Sequence, residues 1–491
     1  MTEQNQTSDI AADDALTTGE NATGTLARPP AGHHAVNLTR YRPARVAGHR
    51  PARPGSYQRS RASRTLRRQH HELVGAEEAM TRSARAPQPR PEASPAAATH
   101  AQPADAAPAI SLDREVSLKT EDTSIRYPYH VRSGPGAWDE FTDTLSGLRA
   151  DRFLLVTDDG VPATALTAIT PYLQQLAPVT LLRVPAHEKD KNVGTLERLA
   201  GEAFSSGATR RSVVVAFGGG LVGNMAGLLA HLFLRGIRLV HVPTTLLAMS
   251  DSVLSLKQAV NSGSGKNHLG AFHVPELVWI HLDLASTLPP VQVRAALGEA
   301  IKNVVAICPE HYDEMSRRLR ASAVYSLPEL TWFIEMCVDA KQRVMEADPY
   351  EKGPALALEY GHTVGHAAEH VCGGSMPHGL AIGVGGLVAA RIATLLGHLD
   401  PAVETAHQHL LERNGAPTAF PPGLTVPALM ETIRQDNKRG HVPPRGGYVD
   451  MLLLDALGKP RRSGGSIITQ VPEDVVITGI QTRLSHEETA K

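Results

Sequence analysis

Cysteine is scarce in this chain: Cys308, Cys337 and Cys372 are the only three in 491 residues, an odd number in no pairing motif. A disulfide framework is excluded on that count, and thiols kept reduced are the expectation. No run of 18 or more apolar residues occurs, so no membrane-spanning helix is expected. The start, MTEQNQTSDIAADDALTTGE, lacks the basic and apolar character of a signal peptide. Charge of one sign is also missing: the formal net charge is -1, which gives no global reason to expect nucleic acid or an acidic membrane as partner. A cytoplasmic protein is the resulting expectation.

Aromatics are few throughout, and the first 110 residues hold just two, Tyr41 and Tyr57, among Arg, Pro, Ala and His. A segment of that composition buries too little apolar surface to offset the entropy of ordering, so residues 1–112 are expected to form a disordered extension. Its basic stretch from Arg40 to Arg68 fits a solvated tail, or a start codon assigned too far upstream, better than a phosphate-binding arm.

What the chain does have begins after that extension, with order expected from about Ile125. RFLLVTDDG from Arg152, VTLLRVP from Val179, SVVVAFGGG from Ser212 and IRLVHVP from Ile237 read as strands. Helical periods lie between them, at Thr164–Leu176, Val193–Phe204 and Val222–Leu234. This alternation predicts a parallel sheet with crossover helices over residues 113–291. From about Val291 the pattern is helical throughout, which predicts an all-helical domain over 292–491 and a site in the cleft between the two.

Three constellations carry chemistry. Gly218, Gly219, Gly220 and Gly223 follow a buried strand and open a helix, where backbone N–H groups can approach a pyrophosphate. The spacing departs from the usual dinucleotide fingerprint, and a tight turn satisfies it equally. Thr244 and Thr245 end the next strand, within reach of the same nucleotide. The second constellation is LEYGHTVGHAAEHVCGGSMPHG from Leu358. His362 and His366 stand four apart on one helical face, and His378 follows a Gly-Gly break that lets the chain return. With an acidic residue from elsewhere, such imidazoles suit a divalent metal that keeps an open position. Spacing alone also fits a satisfied core pair. The third is basic: Lys257 and Lys266 in DSVLSLKQAVNSGSGKNHLG, a Gly/Ser-rich stretch read as a loop, together with Lys302, Lys341 and Lys438. A metal site, a dinucleotide loop and several lysines together imply oxidation of a phosphorylated polyol.

In order and spacing, GGGLVGN, HLFLRG, HVPTTLLAMSDSVLSLK, SGKN, GEAIKN and EYGHTVGH resemble the dehydroquinate synthase superfamily, the sugar phosphate cyclases, from about Asp113 to Arg483. The resemblance implies a Rossmann-like α/β domain holding NAD, a helical domain holding zinc or cobalt, and a homodimer. It further implies Glu299, His362 and His378 as metal ligands and His366 as an acid/base group beside them. Glu188, Lys191, Gly219, Gly220, Gly223, Asn224, Thr244, Thr245, Asp251 and Lys266 would contact the cofactor. Asp251, Lys257, Lys266, Asn267, Lys302, Lys341 and Lys438 would contact substrate and phosphate, and Arg235 would reach the phosphate site of a partner subunit.

Departures from the dehydroquinate synthase pattern point to a branch. Asn224 replaces an aspartate, Ala355 replaces the arginine that meets a substrate carboxylate, and Glu359 replaces an asparagine. Losing a cation while gaining a carboxylate disfavours an acidic substrate, because an unpaired buried charge costs several kcal/mol. SDSVLSLKQAVN, EYGHTVGHAAEH and DNKRG also resemble the 2-deoxy-scyllo-inosose synthases of aminoglycoside biosynthesis, which implies glucose 6-phosphate as substrate. Glu359 is then expected to transfer a proton near C5, alongside Lys257 and His366 as catalytic groups; its other reading is to orient a metal histidine. Alternatives are a 3-dehydroquinate synthase, a valiolone-type 7-phosphate cyclase, a metal-dependent polyol dehydrogenase that releases NADH, and an inactive homologue serving as a binding protein.

Overall fold

The computed structural model describes residues 109–120, 124–263, 265–435 and 440–485. Residues 1–108 of the extension, with the disorder expected of them, and Lys438 lie outside the described residues, whereas Ser111 and Leu112, expected in the extension, belong to the first strand. The first half is built on seven strands: β1 (Ser111–Lys119), β2 (Ser124–Arg132), β3 (Phe153–Asp158), β4 (Val179–Val184), β5 (Val213–Gly218), β6 (Arg238–Pro243) and, after a hairpin of β7 (Lys257–Ser262) and β8 (Gly265–Phe272), β9 (Leu277–His281). Their order across the sheet is β1-β2-β9-β6-β5-β3-β4. Only β1 and β2 pair antiparallel; every other neighbour in this sheet is parallel.

The alternating side chains of the central strands explain the layering. Phe153 and Leu155 of β3 pack with Val213, Val215 and Phe217 of β5 against helices Ala137–Ser146 and Ala163–Gln174. Leu154 and Val156, with Val214 and Ala216, face helices Val193–Ser205 and Gly220–Leu232. Both faces are covered, which is why β5 reads as an unbroken apolar run.

The four strands and three helices read from the sequence are found within about two residues. Three features differ. A strand is already present at Ser111–Lys119, ahead of the start expected near Ile125, because β1 exposes alternate polar side chains and buries only Val116 and Leu118, leaving no apolar run to detect. The Gly/Ser-rich stretch is a hairpin rather than a loop; β8 is exposed along most of its length and so carries no strand periodicity. After Pro290 the chain is mainly helical, but it also carries two short antiparallel ladders, Tyr448–Leu452 with Ile468–Pro472 and Leu454–Ala456 with Lys459–Pro460.

The helical half shares one continuous core with β1, β2 and the segment after β6, and the Tyr129 hydroxyl donates to the Met249 carbonyl at 2.6 Å. Helix His378–Leu395 is long and apolar enough to cross a membrane by length and composition, yet 78% of it is buried inside this core. It is a core helix of the fold.

Two buried histidines make the fold acid-sensitive. Burial holds His241 at a pKa of about 4 and His407 at about 3, and the His407 ring nitrogens have no hydrogen-bond partner. The unfolded chain takes up protons below pH 6.5 that the folded chain refuses. Stability is therefore present above that pH and lost as pH falls towards 3, at about 1.4 kcal/mol per pH unit per histidine. Urea unfolding from pH 7 to 4.5 should show this slope, reduced by one such increment in His407→Gln; an unchanged slope in the variant would refute it.

Candidate active site

A cavity of about 710 Å³ opens beyond the carboxyl ends of the parallel strands. Glu188 and Lys191 enter it after β4, Gly220 and Asn224 after β5, and Asp251 after β6. Lys266 and Asn267 of β8 form a second wall, and His366, Glu369 and His378 of the helical half a third. Ligands of open α/β sheets bind at this end, where strand geometry points successive loops into one crevice.

The glycine loop opens helix Gly220–Leu232 directly into the cavity. A Cβ on Gly219 would crowd the Thr245 methyl at 3.3 Å, so the loop lies tight against the turn that follows β6. Gly223 needs no such explanation, since a side chain there would make only ordinary contact with His241 at 3.6 Å. Asn224 ties this helix to the hairpin. Its amide nitrogen donates to the Gly220 carbonyl at 2.9 Å, and its oxygen accepts from the Ala259 N–H at 2.9 Å. An ionised aspartate could only accept, so it would lose the first of these bonds. Thr245 caps helix Leu246–Ser250 by accepting from the Ala248 N–H at 3.2 Å, and the Thr244 N–H donates to the Gly218 carbonyl at 2.9 Å. Glu188 accepts from Asn261 through both its carbonyl, at 2.9 Å, and its carboxylate, at 3.0 Å. Lys191 is buried, donates to Asn267 at 2.5 Å, and has its pKa lowered by desolvation.

The histidines converge because their helices touch through backbone. Gly361 sits in the left-handed region at φ 79°, and a Cβ there would lie 2.7 Å from the Ile382 carbonyl, so only glycine both makes the turn into helix His362–Val371 and lets it approach its neighbour. Gly379 lies against the Ala295 carbonyl, and a Cβ would overlap that oxygen. This contact brings His378 beside Glu299 of helix Pro290–Ala306. Gly379→Ala should cost about 3 kcal/mol or more of stability, read as a fall in thermal midpoint; a variant melting with the parent would disprove the close approach.

His362, His366 and His378 place a ring nitrogen each within 4.8 Å of one another. Glu299 Oε1 lies 3.2 Å from His378 Nε2 and 3.7 Å from His362 Nε2. Each of those rings is held from behind, His362 Nδ1 by the Tyr360 carbonyl at 3.2 Å and His378 Nδ1 by Glu369 at 3.1 Å. If both Nδ1 atoms carry the proton, both Nε2 lone pairs face the carboxylate. Neither Glu299 oxygen makes a well-aligned hydrogen bond, although Lys302 Nζ stands 2.7 Å away. Burial alone would raise the Glu299 carboxyl, but Lys302, His362 and His378 outweigh it and hold it well below the usual range. For His378, burial opposes the charge, yet contacts with Glu299 and Glu369 push it up to about 10. Burial lowers His362, against the pull of Glu299 and Glu359. The arrangement favours positive charge beside the Glu299 carboxylate. Two imidazoles and one carboxylate converging on that point fit a zinc or cobalt ion with a vacant position.

Several expected residues stand outside the cavity lining. Lys257 is partly exposed and pairs with the buried Glu351 at 2.5 Å. Lys341 lies beneath Asp251, bonded to its carbonyl at 2.8 Å and its carboxylate at 3.0 Å. Lys302 also donates to the Leu358 carbonyl at 2.8 Å. Arg235 is exposed at the far end of the glycine-loop helix, away from the cavity of its own chain. Glu359 stands three residues before His362 but not on its helix: it closes a 3-10 turn, Pro354–Glu359, and the left-handed Gly361 separates the two. Its charge still acts on His362 and Lys302, so it stays on the metal side.

Sequence reasoning missed Glu369 and Glu351. Glu369 follows His366 by three residues on the same helical face, a spacing that was there to be used. It accepts from Lys266 at 2.8 Å as well as from His378, and although burial opposes it, His378 and Lys266 hold its carboxyl well below the usual range. Glu351 gave no local signal, because its partner Lys257 is 94 residues away.

Residues 181–295 match the 3-dehydroquinate synthase N-terminal family and residues 296–439 the 3-dehydroquinate synthase C-terminal family. The chain belongs to the dehydroquinate synthase family. As a member of it, the chain is a sugar phosphate cyclase, and its relatives include the 2-deoxy-scyllo-inosose synthase of Streptomyces kanamyceticus, 41% identical over 363 residues that cover 74% of this chain and 92% of the relative. The synthase of the same name from Streptoalloteichus tenebrarius is 42% identical over 353 residues, 72% of this chain and 91% of the relative. Among solved structures, 2-deoxy-scyllo-inosose synthase complexed with carbaglucose-6-phosphate, NAD+ and Co2+ superposes with a TM-score of 0.69 at 34% identity, over 76% of this chain and all of that one. The fold is also that of 2-epi-5-epi-valiolone synthase from Streptomyces hygroscopicus, with a TM-score of 0.59 at 22% identity, over 72% of this chain and 96% of that one.

Proposed function

We propose that this cyclase converts glucose 6-phosphate to 2-deoxy-scyllo-inosose and phosphate, as a carbon–oxygen lyase serving aminoglycoside biosynthesis. The observation that carries the reading is the pairing of Ala355 with Glu359. The first is fully buried where a carboxylate-binding arginine would be needed, and the second adds a negative charge beside His362. The 2-deoxy-scyllo-inosose synthases named above, and the glucose 6-phosphate analogue in one solved relative, support the same substrate.

NAD and a zinc or cobalt ion would supply a reversible hydride acceptor and a Lewis acid at the C4 hydroxyl. Glu299, His362 and His378 would hold the metal, and the loop from Gly218 to Gly220, with Glu188, Lys191 and Asp251, the nucleotide. Oxidation at C4 acidifies the C5 hydrogen, Glu359 takes that proton, and phosphate leaves from C6. Lys266, Asn267 and the neighbouring lysines would hold the phosphate, and His366 would move protons at the sugar hydroxyls. Re-reduction, ring opening and an intramolecular aldol step close the carbocycle. Residence in the cytoplasm and assembly as a homodimer, with Arg235 reaching across, belong to this reading.

Hydride taken and returned in one turnover predicts phosphate release with no net NADH. Stoichiometric NADH would favour a polyol dehydrogenase instead. The deciding assay compares phosphate release from glucose 6-phosphate, a 3-deoxyheptulosonate 7-phosphate and sedoheptulose 7-phosphate; preference for either seven-carbon substrate would overturn the proposal.

A further inference from the structure

Glu369 joins two groups that come from opposite halves of the protein. One carboxylate oxygen receives His378 Nδ1 at 3.1 Å, and the other receives Lys266 Nζ at 2.8 Å. His378 opens the core helix of the helical half, whereas Lys266 sits on β8 of the hairpin attached to the sheet. The Glu369 side chain is only 14% exposed and lines the cavity. A surface ion pair would need neither that burial nor a histidine on its second oxygen.

We propose that Glu369 is a positioning residue for the metal centre: it fixes the His378 tautomer and ring direction, and it holds Lys266 at the cavity wall. With Nδ1–H committed to Glu369, His378 must present Nε2 towards Glu299, the direction in which it lies 3.2 Å from Oε1. A histidine ligand so anchored binds metal better, because the ring is already oriented and the carboxylate makes the imidazole more basic. Lys266 neutralises the second oxygen of Glu369, which keeps one anion from lying unpaired beside the cavity. Glutamine cannot replace glutamate here. Its carbonyl oxygen can replace only one of the two carboxylate oxygens, and its NH2 would then confront the donor at the other.

The inference rests on Glu299, His362 and His378 being the ligands, and the experiment separates the two claims. Co2+ affinity is measured by chelator competition, with the visible absorption of bound Co2+ reporting ligand geometry, in full-length Glu369→Gln, Glu369→Asp, Lys266→Met and His378→Ala. Glu369→Gln should bind Co2+ roughly 10–100-fold more weakly with an altered spectrum. Glu369→Asp, which keeps the charge, should fall between it and the parent, so the series stays readable even where the glutamine variant folds poorly. Lys266→Met should stay within about threefold of the parent, because Lys266 acts on the carboxylate rather than on the ring. If His378→Ala keeps parental affinity, the ligand assignment itself is wrong. If His378→Ala loses the metal while both Glu369 variants bind as the parent does, or if Lys266→Met loses as much affinity as Glu369→Gln, the positioning role is overturned.

Discussion

His362→Ala should lose most of its metal and at least about a thousandfold in turnover, since Lewis-acid stabilisation of this kind supplies several kcal/mol. His362 is buried, begins its helix directly after Gly361, and has its outer nitrogen held by the Tyr360 carbonyl. Removing it leaves Glu299 and His378 without a third donor at their meeting point. His366 is the informative comparison, because its ring nitrogen belongs to the same cluster. His366→Ala should keep the metal and lose about 10²–10⁴-fold in rate, as expected for a proton-transfer group. Metal content by elemental analysis, measured beside turnover, distinguishes the two. Full metal occupancy in His362→Ala with depletion in His366→Ala would exchange their roles.

Glu359→Gln should slow the reaction by about 10²–10⁴-fold with metal and NAD still bound. The amide keeps the shape and removes the base. Glu359 lies beyond the break at Gly361, so the substitution should leave helix His362–Val371 undisturbed. Its present influence is electrostatic, favouring the charged forms of His362 and Lys302. If Glu359 only oriented a metal histidine, metal affinity would fall and the rate at saturating metal would recover. A parental rate at saturating metal would therefore remove its catalytic role, and exclusive turnover of the heptulosonate phosphate would remove the glucose 6-phosphate assignment with it.

Legibility of the site followed the range of the contacts that build it. His362 and His366 were readable as one face because an α-helix brings residues four apart together whatever surrounds it. The glycine loop was readable because a buried strand, a run of glycines and a helical period are consecutive in the chain. The position of Glu299 followed from motif resemblance; no local pattern ties it to His378, 79 residues later. Glu359 shows the opposite hazard. Counting three residues back from His362 places it on the same helix only if the helix extends that far, and a left-handed glycine ends it first.

The sequence by itself determined the parallel strands, the crossover helices, the family motifs and most of the residue types at the site, because each depends on near neighbours along the chain. The tertiary structure alone decided that Gly379 packs on Ala295 and so carries His378 to Glu299, that an exposed glycine-rich stretch pairs as a hairpin, and that Glu369 lies between His378 and Lys266. Lys257 with Glu351 and Lys341 with Asp251 were settled in the same way. The physical reason is common to them all. Periodicity records which face of an element is buried, but which groups meet between elements depends on how closely two backbones can approach, and that is fixed only when the helices and the sheet have packed.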